Sequence, residues 1–233
     1  MPPIILENVR LFQSLTASSL QDVIAAAEPV PREKGRAFFR QGDTARKLFI
    51  LRQGRVKISQ TTAEGHQIVV RYVGFGELFG CVLLYGGREY PATALAVSDC
   101  EALSWDHASF VKMMERYPRI AINALELVGE ELSGMRARYQ ELATERVEQR
   151  VARALLRLVR QAGKKVDGGV LIEFPLSRQD LAELTGTTLH TVSRILSVWE
   201  NEGLIRSGRK RIIICHPHEL VSIAEDLKAH HPK

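Results

Sequence analysis

Apolar residues between Ala121 and Leu142 recur in alternating steps of four and three: Ala121, Leu125, Val128, Leu132, Met135, Tyr139 and Leu142. Three heptads with both seam positions apolar specify a helix packed along another helix, rather than one lying on a sheet. No second heptad helix of this length exists in the chain, so the natural partner is the same helix in another copy. A homodimer is therefore expected, with Leu125, Val128, Leu132, Met135, Tyr139 and Leu142 as its seam. A core helix within one chain is the alternative.

The segments on either side have different periods. After a short amphipathic helix at about 17–27, residues 35–105 read as short β-rich runs: 36–40, 47–51, 55–59, 67–72, 93–97 and 101–105. Gly35, Gly42, Gly54, Gly65, Gly74 and Gly76 break them, the spacing of a sandwich or barrel. Beyond Thr144, Val147, Val151, Ala154, Leu155, Leu158 and Val159 mark an amphipathic helix closed by Gly163 and Gly168-Gly169. Val170, Ile172 and Phe174 then alternate as a strand. The expected division is 1–117 for a β-rich domain, 118–145 for the heptad helix and 146–233 for a third module.

Composition excludes several classes. With 233 residues and 45% apolar content the chain is globular. It has no run of about 18 apolar residues, and its start carries Glu7 without a basic stretch before an apolar core, so a cytoplasmic protein with no membrane partner is expected. Cys81, Cys100 and Cys215 are too scattered for a disulfide framework or a paired zinc site and read as buried thiols. Cys215 with His216 and His218 lacks a second ligand pair, so no metal site is expected.

Of the net charge of +5, residues 146–215 carry 13 Lys/Arg against 7 Asp/Glu, leaving the remainder slightly acidic. A basic C-terminal module fits a phosphate backbone, though a solvated basic face has the same composition. The decisive segment is 177–199. Ser177 and Asp180 have the spacing of a capping box, Leu181 and Leu184 give an apolar face, and Gly186 is placed to end the helix. Thr187 or Thr188 can cap a second helix, on which Val192, Ile195, Leu196 and Trp199 face a core.

His190, Ser193, Arg194 and Ser197 occupy the opposite stripe, where Arg194 can pair with guanine O6 and N7. Two helices about a glycine turn with such a stripe have the geometry of a major-groove reader of double-stranded DNA; an ordinary helical hairpin is the plainer alternative. A hairpin follows, from Leu204-Ile205-Arg206 through a turn at Ser207-Gly208-Arg209 to Arg211-Ile-Ile-Ile. It would act as a wing: Arg178, Thr188, Thr191, Arg209, Lys210 and Arg211 are the candidate phosphate contacts.

These residues resemble the Crp/Fnr family of transcription regulators over nearly the whole chain. The resemblance rests on Leu176-Ser-Arg-Gln-Asp-Leu-Ala-Glu-Leu-Thr-Gly with Thr191-Val-Ser-Arg-Ile-Leu, and on Gly74-Phe-Gly-Glu-Leu-Phe-Gly. The opening Asn8-Val-Arg-Leu-Phe-Gln-Ser-Leu and the turn Phe39-Arg-Gln-Gly-Asp appear in the family's order. It implies an α+β chain with an N-terminal cyclic-nucleotide-binding-type β-roll, a long dimerisation helix and a C-terminal winged helix-turn-helix. Bacterial origin and contact with RNA polymerase are likewise implied. Where Fnr-type members carry a Glu beside the Ser and Arg readers, this chain has His190, so the operator is not inferable.

Cyclic-AMP-binding members follow Gly-Glu-Leu with an Arg-Ser-Ala that clamps the phosphate, while the Glu takes the ribose. Here Glu77 is kept, but Tyr90 and Pro91 stand where the arginine and serine would, and Pro91 lacks a backbone donor. Cyclic AMP is disfavoured. Gly76, Glu77, Leu78, Arg88 and Tyr90 are the candidate effector pocket, with Arg88 a substitute anion ligand. The absence of cysteines before Cys81 excludes the family's iron-sulfur sensor. Tyr90-Pro91-Ala92-Thr93-Ala94 is more similar to haem or nitric-oxide-responsive and redox-responsive (Dnr/Fnr-like) members. Haem stays open with His66, His107, Cys81 or Tyr90 as axial candidates, as do Cys81 oxidation, an unknown effector and no effector at all. No nucleophile elbow, Walker loop or kinase signature occurs in 144–233, so no enzyme is expected. The competing readings are a cyclic-nucleotide-like domain regulating an enzyme and a scaffold dimer that does not bind DNA.

Overall fold

The computed structural model describes residues 9–208 and 210–227, apart from the side chain of Tyr85. Arg209, one of the expected phosphate contacts, lies outside the described residues. The chain forms two compact units, Met1–His66 with Val70–Arg136, and Gln67–Val69 with Ala137–Lys233.

Among the described residues, eight strands build the β domain: β1 (Glu28–Arg32), β2 (Ala37–Phe39), β3 (Lys47–Gln53), β4 (Val56–Thr61), β5 (Gln67–Val73), β6 (Leu78–Phe79), β7 (Thr93–Ala96) and β8 (Cys100–Asp106). They form two four-stranded sheets, ordered β1-β8-β3-β6 and β2-β7-β4-β5. Alternation along β3 serves two cores. Phe49 and Leu51 join Phe38, Phe39, Phe79 and Tyr90 between the sheets. Leu48 and Ile50 point the other way, packing with Leu103 and Trp105 against the helical cover. Side chains two apart share a face, so a strand buried on both sides reads as a continuous apolar run.

That cover consists of α1 (Ala17–Ala25), α2 (His107–Arg116) and the start of α3 (Pro118–Thr144). The Trp105 indole is satisfied by donating to the Val23 carbonyl at 3.1 Å. Buried Asn123 of α3 donates to the carbonyls of Leu11 and Gln13 at 3.0 and 2.9 Å, which ties the N-terminal turn to the long helix.

The second unit runs α4 (Val147–Ala162), β9 (Gly163–Val166), β10 (Gly169–Ile172), α5 (Arg178–Thr185), α6 (Leu189–Asn201), β11 (Ile205–Gly208), β12 (Arg211–Ile214) and α7 (Pro217–Ala224). Its sheet has the order β11-β12-β10-β9.

Three elements depart from the pattern read in the sequence. Strand β1, which has no counterpart among the β-rich runs, contains Pro29 and Pro31 and pairs with β8 as an edge strand. Prolines spaced by two leave their missing N–H groups on one side, the open edge, so no ladder bond is lost. Strand β9, with its two lysines, carries no apolar alternation and is held by pairing with β10. The wing turn is tighter than expected, because Ser207 and Gly208 belong to β11 and Gly208 pairs with Arg211. Lys210 supplies the left-handed turn residue, with φ 58°.

Candidate nucleic-acid interface and effector cavity

Short-range chemistry builds the helix-turn-helix. The Ser177 hydroxyl accepts from the Asp180 N–H at 3.0 Å, and the Asp180 carboxylate accepts from the Ser177 N–H at 3.1 Å, so α5 starts in a reciprocal cap. Gly186 closes α5 at φ 62° and ψ 45°, a conformation that costs a residue with a Cβ about 1–2 kcal/mol. Thr188 then caps α6, its hydroxyl accepting from the Thr191 N–H at 3.2 Å.

The base of this motif is held by α4 and the end of α3. Arg150 donates from Nε to the Thr185 carbonyl at 3.1 Å and from a terminal nitrogen to the Glu145 carbonyl at 2.9 Å. Arg153 pairs with Glu145 at 2.8 Å and Arg157 with Glu141 at 2.6 Å. The Trp199 indole donates to Glu148 at 3.2 Å. These ties run across helix faces and orient α6 on its own unit.

On α6, Val192, Ile195, Leu196 and Trp199 are buried. His190, Arg194 and Ser197 are exposed and Ser193 is half-buried, so the four expected base readers share the open face. Arg194 makes no hydrogen bond or ion pair among the described residues, which leaves its guanidinium free for a ligand.

The expected phosphate contacts fare differently. Lys210 and Arg211 are exposed at the wing. Thr188 and Thr191 sit at the start of α6 with their hydroxyls 2.9 Å apart, engaged in the cap. Arg178 is partly neutralised, 3.3 Å from Glu200 and 3.2 Å from the Ser207 hydroxyl. One apolar side chain beside the expected base readers has no place in the sequence pattern: Leu189, the first residue of α6, is 47% exposed next to His190. Its only signal was its place directly after the cap, on the margin of the apolar stripe.

The seam residues of α3 are all exposed in the single chain, Leu125 by 73% and Tyr139 by 74%.

The first unit contains a cavity of about 390 Å³ that is partly open to solvent. Phe39, Phe79 and Tyr90 line it with Ile58, Val70, Val82 and Ala92, and α3 contributes Val128, Leu132 and Met135. Of the five residues expected at an effector pocket, only Tyr90 lines this space. Its ring stacks on Phe39 with centroids 3.7 Å apart, and its hydroxyl donates to the Lys47 carbonyl. Burial raises the Tyr90 phenol above its ordinary pKa, so it stays neutral. Glu77 turns inward on its own loop, accepting from the Gly74 N–H at 2.8 Å. Gly76 (φ 77°) and Leu78 lie in the same turn and strand without lining the cavity, and Arg88 is exposed outside it.

The cation that does line the cavity is Arg71, which the sequence reading did not single out. It donates to the Leu78 carbonyl at 2.7 Å and lies 3.4 Å from Glu131 and 3.7 Å from Glu77. No local motif announces it, because its partners are Glu131 on α3 and, beyond the Gly74–Gly76 turn, Glu77 and the Leu78 carbonyl of β6.

Haem fits poorly here. His66 and His107 do not line the cavity, Tyr90 spends its hydroxyl on the backbone, and only Cys81 remains. Burial, with Glu131 nearby, pushes the Cys81 thiol pKa up, whereas a haem ligand would be the thiolate.

Among the described residues no helix is long and apolar enough to cross a membrane. The family model for a cyclic nucleotide-binding domain matches residues 29–117, and that for a Crp-like helix-turn-helix domain matches residues 149–223. The chain is 33% identical over 198 residues to the cyclic AMP receptor protein of Thermus thermophilus, covering 85% of this chain and 88% of that protein. It is 24% identical over 216 residues to the CRP-like cAMP-activated global transcriptional regulator of Mycobacterium tuberculosis, covering 93% and 96%. The c-di-GMP-responsive global regulator CLP of Xanthomonas campestris shares its fold, with a TM-score of 0.74 at 22% identity, covering 85% of this chain and 99% of that one. With its cyclic-nucleotide-binding-type β domain, long helix and C-terminal helix-turn-helix, this chain belongs to the Crp/Fnr family of DNA-binding transcription regulators.

Proposed function

We propose that this protein is a sequence-specific regulator that binds a pseudo-palindromic operator as a homodimer and is controlled by a signal at its β domain. The observation that carries the reading is α6. Its apolar face is buried, its open face presents His190, Ser193, Arg194 and Ser197, and a basic hairpin follows it. Arg194 reads guanine, Ser193 and His190 read the neighbouring pairs, and Leu189 lies against a thymine methyl. Lys210 and Arg211, with Arg209, meet phosphates, as does Arg178 once it exchanges Glu200 for DNA.

Two copies associate through Leu125, Val128, Leu132, Met135, Tyr139 and Leu142, a stripe too apolar to be left in water. The functional division follows the sequence: sensor 1–117, dimer helix 118–145, DNA-binding module 146–233. Tyr90 and Pro91 in place of an arginine and a serine support grouping the sensor with Dnr/Fnr-like members that respond to other signals than cyclic AMP. Family membership supports a cytoplasmic, non-enzymatic role at a promoter, with RNA polymerase as partner.

The test is selection from random duplex DNA followed by mobility shift. Enrichment of a two-fold-symmetric site with half-sites about one helical turn, roughly 34 Å, apart is the expected result, with affinity falling steeply as salt rises. Failure to enrich any sequence would sink the reading in favour of a scaffold or a regulatory subunit.

A further inference from the structure

The cavity of the first unit combines a mostly apolar wall with one paired cation, Arg71 beside Glu131. Most of its wall is carbon: three aromatic rings, five aliphatic side chains, an alanine and a methionine. Its polar groups are already engaged with one another. Gln60 donates to the Pro91 carbonyl at 3.0 Å. Arg71 is held between Glu131 and Glu77 and donates to the Leu78 carbonyl. The Cys81 thiol stays protonated because it is buried.

An anion entering here would have to approach Arg71 alongside Glu131, so the attraction of one charge is cancelled by the repulsion of the other. Arg88 offers no remedy, being exposed outside the cavity. A neutral molecule meets no such opposition and removes apolar wall from water.

We infer that this cavity is the effector site and that its ligand is a neutral, predominantly apolar small molecule, with the Arg71–Glu131 pair acting as the filter that turns anions away. The inference rests on the regulator reading only in calling the ligand an effector. Bound there, the molecule touches Val128, Leu132 and Met135, which also belong to the proposed seam, so occupancy is felt on the dimer helix.

Two fluorophores with the same fused and pendant rings separate the charge classes: neutral N-phenyl-1-naphthylamine and anionic 8-anilinonaphthalene-1-sulfonate. Titrated into full-length protein without DNA, the neutral probe should saturate with a Kd about tenfold or more below that of the sulfonate, and excess cyclic AMP should not displace it. Glu131→Gln should tighten the sulfonate by about fivefold or more while moving the neutral probe less than about twofold, because it removes the carboxylate that shares the cavity wall with Arg71 without enlarging the cavity. Ala92→Phe, which fills the wall, should weaken the neutral probe by about tenfold. Should that variant not fold, the native protein locates the site: the probe should slow alkylation of Cys81 by N-ethylmaleimide, followed by peptide mass spectrometry, and leave Cys215 unaffected.

Displacement by cyclic AMP, or a sulfonate that binds native protein as well as the neutral probe, overturns the inference. So does a folded Ala92→Phe that binds unchanged, or Cys81 alkylated at the same rate with and without probe. Since no DNA is present, these failures leave the operator-selection result standing.

Discussion

The side chain of Leu142, near the end of α3, reaches the turn of the helix-turn-helix so closely that a Cβ built on Gly186 would lie 2.8 Å from its Cδ2. Gly186 thus meets two demands at once, a left-handed backbone and a close neighbour. Gly186→Ala should destabilise the protein by about 1–2 kcal/mol from the backbone alone, with the Leu142 contact adding to it. Urea unfolding of the variant checks this, and an unchanged midpoint would refute it.

Arg194 projects from α6 without an ion pair among the described residues. Arg194→Ala should cost about 1–3 kcal/mol of discrimination at one position of each half-site and leave non-specific binding nearly intact. Competition with operators altered one base pair at a time reads this directly. Equal preference in native and variant protein would mean that another element reads the bases.

Leu189 differs in kind, since an exposed leucine can recognise only the methyl group that marks thymine. Replacing one operator thymine by deoxyuridine should weaken native protein by about 1 kcal/mol, within the range of a single altered base pair, and should not weaken Leu189→Ala. If no thymine in the half-site behaves this way, Leu189 faces solvent in the complex.

The seam is tested best at Leu125 and Tyr139, which lie outside the cavity wall. Leu125→Glu with Tyr139→Glu places unpaired carboxylates in an apolar interface, at a cost on the order of 3 kcal/mol or more. Sedimentation equilibrium should show monomers where the native chain is dimeric, with cavity binding by the neutral probe retained. A native chain that sediments as a monomer would remove the dimer from the proposal.

The sequence alone determined those parts of the protein whose cause is short-range. The heptad of α3 is a matter of spacing along one helix, and the caps at Ser177 and Thr188 join residues three apart. Gly186 was recognisable because a glycine placed after an apolar-periodic helix supplies its left-handed end, and the apolar run of β3 was readable as strand even though its two faces serve different cores.

Only the tertiary structure decided what converges on the cavity. Glu77 and Arg88 read as ligands by their place in a motif, but one carboxylate caps its own turn and the other side chain points to solvent. Arg71 and Glu131, sixty residues apart, bear no motif and become partners only when β5 and α3 are packed together. Strands β1 and β9 likewise exist because β8 and β10 offer them an edge, a long-range hydrogen-bonding opportunity that local propensity does not encode.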